Sequence, residues 1–160
     1  MKIFKAEQWN MDILLPLFER YRMSYGMKEN PERTLAFLHN RIRFSESVIF
    51  IAIKERQEAE EQNNMVETQF EEAEALGFIQ LYPRLSSLQL QRYWQVTDIF
   101  VQQLPNHNDI FNALIEKSKE FVRFTQSHYL IVEQNPTQHE MWERNGFRLN
   151  SKKTIFELML

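Results

Sequence analysis

Three glycines in 160 residues leave this chain few places where it can enter the left-handed region or bring two backbones close together. Gly26, Gly77 and Gly146, with five prolines, therefore fix most of the boundaries that can be read. Met1–Glu7 alternates weakly and predicts a short first strand. Asp12 is placed to cap a helix running to about Tyr25, where Ile13, Leu14, Leu17, Phe18 and Tyr21 recur at helical spacing and Gly26 closes the element. Pro31 stands at the first position of a second helix begun at Asn30, with Leu35, Phe37, Leu38 and Ile42 as its apolar face. Val48–Ile53, β-branched and aromatic, predicts a buried strand. Further strands are expected over Gly77–Tyr82 and, after a turn at Pro83–Ser87, over Leu88–Arg92 and Tyr93–Val101. The longest helix should run from Asn106 to about Thr125, with Ile110, Phe111, Leu114, Ile115, Phe121 and Val122 on one stripe. Tyr129–Val132 reads as a strand, Pro136–Arg144 as a short helix with Gly146 at its C′ position, and Lys153–Leu160 as a last strand. This order gives one α/β (α+β) domain over residues 1–160, with a crossover helix in its second half.

Charge divides the chain more sharply than it divides by composition. Between residues 55 and 74, eight glutamates face Arg56 alone, a charge of −7 within a total of −3, so the rest of the chain carries +4. We read 55–74 as a long solvated connection; an acidic lip recruiting a basic partner is the alternative. The dispersed basic residues neither cluster nor interleave with aromatics, which argues against nucleic-acid binding. The longest apolar run is Val48–Ile53, too short to span a bilayer, and the opening MKIFKAEQWN lacks the apolar core of a signal peptide. With no cysteine, disulfides, thiolate zinc sites and a cysteine nucleophile are excluded, which fits a cytoplasmic setting. No metal site is expected either: His139-Glu140 begins an HExxH pattern that fails at Glu143, and His39, His107 and His128 share no ligand spacing.

Five segments in order resemble the GCN5-related N-acetyltransferase (GNAT) superfamily. They are ILLPLFERYRMSYG with PERTLAFLHNRIRFSESVIFIA, then GFIQLYP, WQVTDIFV, and the late NPTQHEMWERNGF. The resemblance covers nearly the whole chain. It implies an acyl-CoA N-acyltransferase fold, a mixed and mostly antiparallel central sheet flanked by about four helices. The implied reaction is acetyl transfer from acetyl-CoA to the amine of a small molecule or protein. It also implies a backbone N–H from the strand ending in Phe100 and Val101 to polarise the thioester carbonyl, and an Asn, here Asn135, that helps hold the cofactor. Asn135 could equally cap the helix begun at Pro136.

The resemblance fails where the family places its phosphate-binding glycines. In QQLPNHNDIFNAL, Asn106 replaces the basic or Gln residue that opens the motif. His107, Asn108, Asp109, Ile110 and Phe111 follow, with His107, Asp109 and Phe111 in the small-residue positions. Phe111 is expected to crowd a close approach, and Asp109 to put negative charge where a diphosphate would sit. Asn106, Asn108 and Asp109 are strong caps, so the stretch reads as a cofactor site converted into a self-capped helix start. Trp142 occupies the position of the family's general-acid Tyr. An indole cannot supply a proton, and core packing is the expected role. Asp98 is the nearest carboxylate for proton removal, on the strand face opposite Ile99 and Val101; pairing with Arg92 or nearby backbone is the structural alternative. Tyr21 and Tyr25 could line an acceptor pocket, with core packing favoured for Tyr21. Two readings follow. One is an acetyl-CoA-dependent N-acetyltransferase with a rewritten loop. The other is a GNAT-fold protein without activity or cofactor that works by binding. The apolar last strand is expected to pair with the sheet and could contribute to a homodimer.

Overall fold

A computed structural model of the chain describes residues 1–54, 74–133, 139–151 and 157–159. In order these form β1 (Lys2–Lys5), a 3-10 turn (Gln8–Asn10), α1 (Met11–Ser24), α2 (Pro31–Arg43), β2 (Val48–Ile53), β3 (Ala75–Ser86), β4 (Gln91–Val101), α3 (His107–Phe124), β5 (Leu130–Val132) and α4 (His139–Arg144). The strands lie in the sheet in chain order, β1 to β5. β1 to β4 pair antiparallel, whereas β5 returns through α3 to lie parallel to β4, as a crossover helix requires. The mixed, mostly antiparallel sheet and its four helices are those expected from the sequence. No described helix is long and apolar enough to cross a membrane.

The pleat sorts the core into two layers. Ile49, Ile51 and Phe78 point to one face and meet Leu14, Leu17 and Phe18 of α1 and Leu38 of α2. Phe50, Ala52, Ile79 and Leu81 point to the other and meet Ile110, Phe111, Leu114 and Ile115 of α3 and Trp142 of α4. The apolar stripe of α2 is narrower than its sequence predicts, for Leu35 and Phe37 stay exposed.

Three boundaries differ from expectation. α1 starts one residue before Asp12, which lies inside the first turn, because Asn10 ends the preceding 3-10 turn and takes the N-cap position. β3 continues through Pro83 to Ser86, and the turn falls at residues 87–90, not at 83–87. Proline is tolerated there because the N–H of its cross-strand partner Trp94 turns the other way, to the Tyr129 carbonyl. The Pro83 nitrogen therefore faces the outer edge, where β2 has already ended at the Val48–Leu81 pair. The expected start of α4 at Pro136 lies outside the described residues, within which the helix runs His139–Arg144. Of the expected last strand, residues 157–159 carry no regular structure and Leu158 and Met159 are exposed. Its remaining residues, like 55–73, lie outside the described residues.

A buried carboxylate ties α1 to α2. Glu19 is 3% exposed and accepts hydrogen bonds from Arg22 Nη1 (2.7 Å), the Asn30 N–H (2.6 Å) and Thr34 Oγ1. Burial pushes its carboxyl up, but those three bonds and the Arg22 charge together outweigh burial and hold it below its ordinary value of 4.5. A depressed carboxyl stabilises the fold above its unfolded value and loses that contribution as pH falls through the folded one. Urea unfolding should therefore show stability falling as pH drops below about 4.5. Glu19→Gln should cost about 2 kcal/mol at neutral pH and flatten that acid limb.

Candidate functional site

The site is organised by one extra residue in β4. Gln80 pairs with Asp98 but Leu81 pairs with Val96, so Thr97 has no partner and forms a β-bulge. On either side of it the pleat changes phase. Trp94 and Val96 face α3, and so do Ile99 and Val101, while Phe100 joins Tyr21 on the α1 side. Asp98 shares that side with Phe100, opposite Ile99 and Val101, as expected.

Beyond the bulge the outer edge of β4 opens. Among the described residues β5 pairs only with Trp94, Gln95 and Val96. The Gln102 N–H donates to the Leu76 carbonyl (2.9 Å), so the adjacent Gly77–Val101 pair is one that does not bond across the ladder. By the same alternation the N–H groups of Ile99 and Val101 point away from β3, toward the open edge. Gly77 lets the strands close here, since a Cβ on it would stand 2.7 Å from the Phe100 carbonyl oxygen.

On the α1 face the bulge delivers Asp98 to a ring of hydroxyls. Tyr21 donates to Asp98 Oδ1 (2.8 Å) and Thr97 Oγ1 donates to Oδ2 (2.6 Å). The expected pairing of Asp98 with Arg92 is not formed, because Asp98 lies beyond the bulge and its oxygens are taken by these hydroxyls. The Tyr21 ring is packed against Phe18, Phe78 and Phe100 and against Tyr25, which is itself mostly exposed. Tyr21 thus serves the core and the site together. Burial, the Asp98 charge and the bond to it push the Tyr21 hydroxyl well above its ordinary range. Tyr82 is raised by burial and, secondarily, by Asp98. Beside it the fully buried Gln80 donates from Nε2 to Ser47 Oγ (2.9 Å) and to the Tyr82 hydroxyl (3.2 Å).

At the start of α3 the self-capped reading is not met. Asn106 is the N-cap residue but its side chain makes no cap bond; its φ of −97° and ψ of 24° lie outside the extended region a capping side chain needs. Asn106, Asn108 and Asp109 are exposed, and His107 Nδ1 lies 3.2 Å from the Gln102 carbonyl. The His107 N–H bonds to Leu104, and those of Asp109 and Ile110 bond to Asn106, whereas the Asn108 N–H has no backbone partner among the described residues. Ile110 and Phe111 are both buried in the core, Phe111 against Trp142 with ring centres 5.3 Å apart. Phe111 therefore does not crowd the helix start, because helical spacing turns it inward. Asn135 lies outside the described residues.

No family model matches the chain. A protein of Haemophilus influenzae named Probable acetyltransferase is 55% identical over 160 residues, spanning 100% of this chain and 99% of its own length. The chain belongs to the GNAT superfamily. A crystal structure of a probable acetyltransferase superposes with a TM-score of 0.81 at 32% identity, covering 100% of this chain and 98% of the other. A predicted acetyltransferase of Clostridium acetobutylicum, solved with acetyl-CoA, shares the GNAT fold at a TM-score of 0.69 and 12% identity, over 98% and 95% of the two chains.

Within this GNAT fold, the sequence reading missed Thr97, Gln80 and Tyr82. Their signals were present. The apolar residues of WQVTDIFV skip from Val96 to Ile99, a spacing of three where a regular strand keeps two, and Gln80 is a lone amide within GFIQLY. Tyrosinate absorbance tests the Tyr21 environment. Tyr21→Phe should leave the native alkaline titration near pH 10 unchanged in amplitude, because the Tyr21 hydroxyl keeps its proton there.

Proposed function

We propose that the protein transfers an acetyl group from acetyl-CoA to an amine. The observation that carries this reading is the open edge of β4 beyond Thr97, with two outward N–H groups on the edge and the Asp98 carboxylate on the adjoining face. An uncapped start of α3, with an unpaired Asn108 N–H, supports a helix end that can take up an anion. Acetyl-CoA would supply an activated thioester. Val101, with Ile99 beside it, would donate its N–H to the thioester carbonyl oxygen where negative charge develops. Tyr21 and Tyr25 would form the acceptor wall. Asp98, held by Tyr21 and Thr97, would take up the proton that the amine nitrogen gives away as the N–C bond forms and the C–S bond breaks. Trp142 supplies no proton, so the departing thiolate takes its proton from solvent.

The second reading is a GNAT-fold protein that binds without catalysis, and Asp109 favours it. Its exposed carboxylate stands in the first turn of α3, where a unit charge about 4 Å from a phosphate opposes binding by about 1 to 4 kcal/mol. Thermal-shift titration with acetyl-CoA and CoA separates the two. Binding should give a saturable rise of several degrees, the result of about 2.7 kcal/mol at 100 times the dissociation constant. No shift at millimolar ligand overturns the enzymatic reading. Asp109→Asn should tighten binding several-fold. Asp98→Asn should lower kcat by about 10²- to 10⁴-fold and leave the affinity for acetyl-CoA nearly unchanged, measured by thiol release with an amine acceptor.

A further inference from the structure

We infer that the indole Nε1–H of Trp142 is a binding donor for the acyl-pantetheine arm of the cofactor; the inference rests on the acetyl-CoA reading above. Trp142, on α4, is 4% exposed, with its ring edge-on to Phe111 at 5.3 Å and to Phe147 at 5.1 Å. Its Nε1 is buried and meets no acceptor among the described residues. A buried indole N–H ordinarily finds a partner. The other two tryptophans do so in the usual ways: Trp94, also buried, donates to Thr125 Oγ1 at 2.9 Å, and Trp9, 76% exposed, reaches water.

The surroundings narrow what could meet this donor. Trp142 shares one apolar cluster with Ile99 and Val101, whose N–H groups face the open edge of β4, and with Ile110 and Phe111 from the first turns of α3. An indole N–H gives a hydrogen bond and accepts none, so its partner must be an acceptor. Phe111, Phe147 and Met141 make the setting apolar, and a phosphate moved into it would lose hydration that one neutral donor cannot replace. A neutral acceptor on a slender chain fits: an amide carbonyl or the thioester of the pantetheine arm, not the nucleotide. Trp142 is then a positioning residue for the acyl donor and leaves proton transfer to other groups.

Trp142→Phe deletes the donor and keeps a smaller aromatic ring. In ¹⁵N–¹H spectra the three tryptophans should give three indole resonances, and this variant assigns the one from Trp142. Titration with acetyl-CoA or with S-acetylpantetheine should move that resonance, and adenosine 3′,5′-bisphosphate should not. By calorimetry the variant should bind acetyl-CoA about fivefold to tenfold more weakly. If acetyl-CoA binds while the Trp142 resonance stays still, if only the bisphosphate moves it, or if the variant binds as tightly as the wild type, this inference falls and the acetyl-CoA reading stands. If calorimetry detects no acetyl-CoA binding to the wild type, both fall.

Discussion

The whole site depends on the β-bulge at Thr97. A strand that kept strict alternation past Val96 would send Asp98 into the apolar layer beneath α3 and turn Ile99 toward α1. One unpaired residue restores an apolar row against α3 and releases a carboxylate to the opposite face, where Tyr21 meets it. Beyond the same point β4 and β5 no longer pair among the described residues, and there the N–H groups of Ile99 and Val101 face outward. An edge of this kind invites pairing with any extended backbone-like chain. Here its exposure is limited to the few residues between the bulge and the end of β4.

The fold divides its tasks between the two faces of the sheet. The α1–α2 face holds the hydroxyls, the carboxylate and the exposed Tyr25, and its helices are locked together by Glu19. The α3–α4 face holds a drier cluster in which Trp94, Phe111, Phe121, Trp142 and Phe147 interlock edge-to-face. An amine that must shed a proton suits the polar face, and an uncharged acyl arm suits the dry one. The two approach only where β4 separates them.

Much of this architecture was legible because it follows from periodicity. α1, α3 and β2 show the apolar spacing of one buried face, and Asn30-Pro31 announces the start of α2 through a side chain that accepts from the Arg33 N–H at 3.1 Å. Pro83 misled because a proline inside a strand is read as a break. Which edge its nitrogen faces depends on pairing that residue order does not state. The start of α3 misled in a different way. Asn106, Asn108 and Asp109 have the chemistry of caps, but capping needs a backbone angle set by the preceding Leu104–Pro105 turn, and side-chain type says nothing of that angle. The direction of Phe111 could have been read from helical spacing, since it lies on the same stripe as Leu114, Ile115 and Val122. The Tyr21 partner of Asp98 could not, because Tyr21 is distant in sequence and only the packing of α1 on the sheet brings it near.

Lys54 and Glu74 show how the chain accommodates its glutamate-rich stretch. The Lys54 N–H bonds to the Glu74 carbonyl at 3.0 Å and their side chains form an ion pair at 3.8 Å, so the β2–β3 ladder is closed at both ends of that stretch. Once the two ends are pinned, the entropy of the intervening segment grows only with the logarithm of its length, and doubling it costs about 0.6 kcal/mol. The β2–β3 connection is therefore a point at which this fold can gain or lose sequence cheaply. Evolution can vary the length and charge of that stretch while the ladder on either side keeps its register.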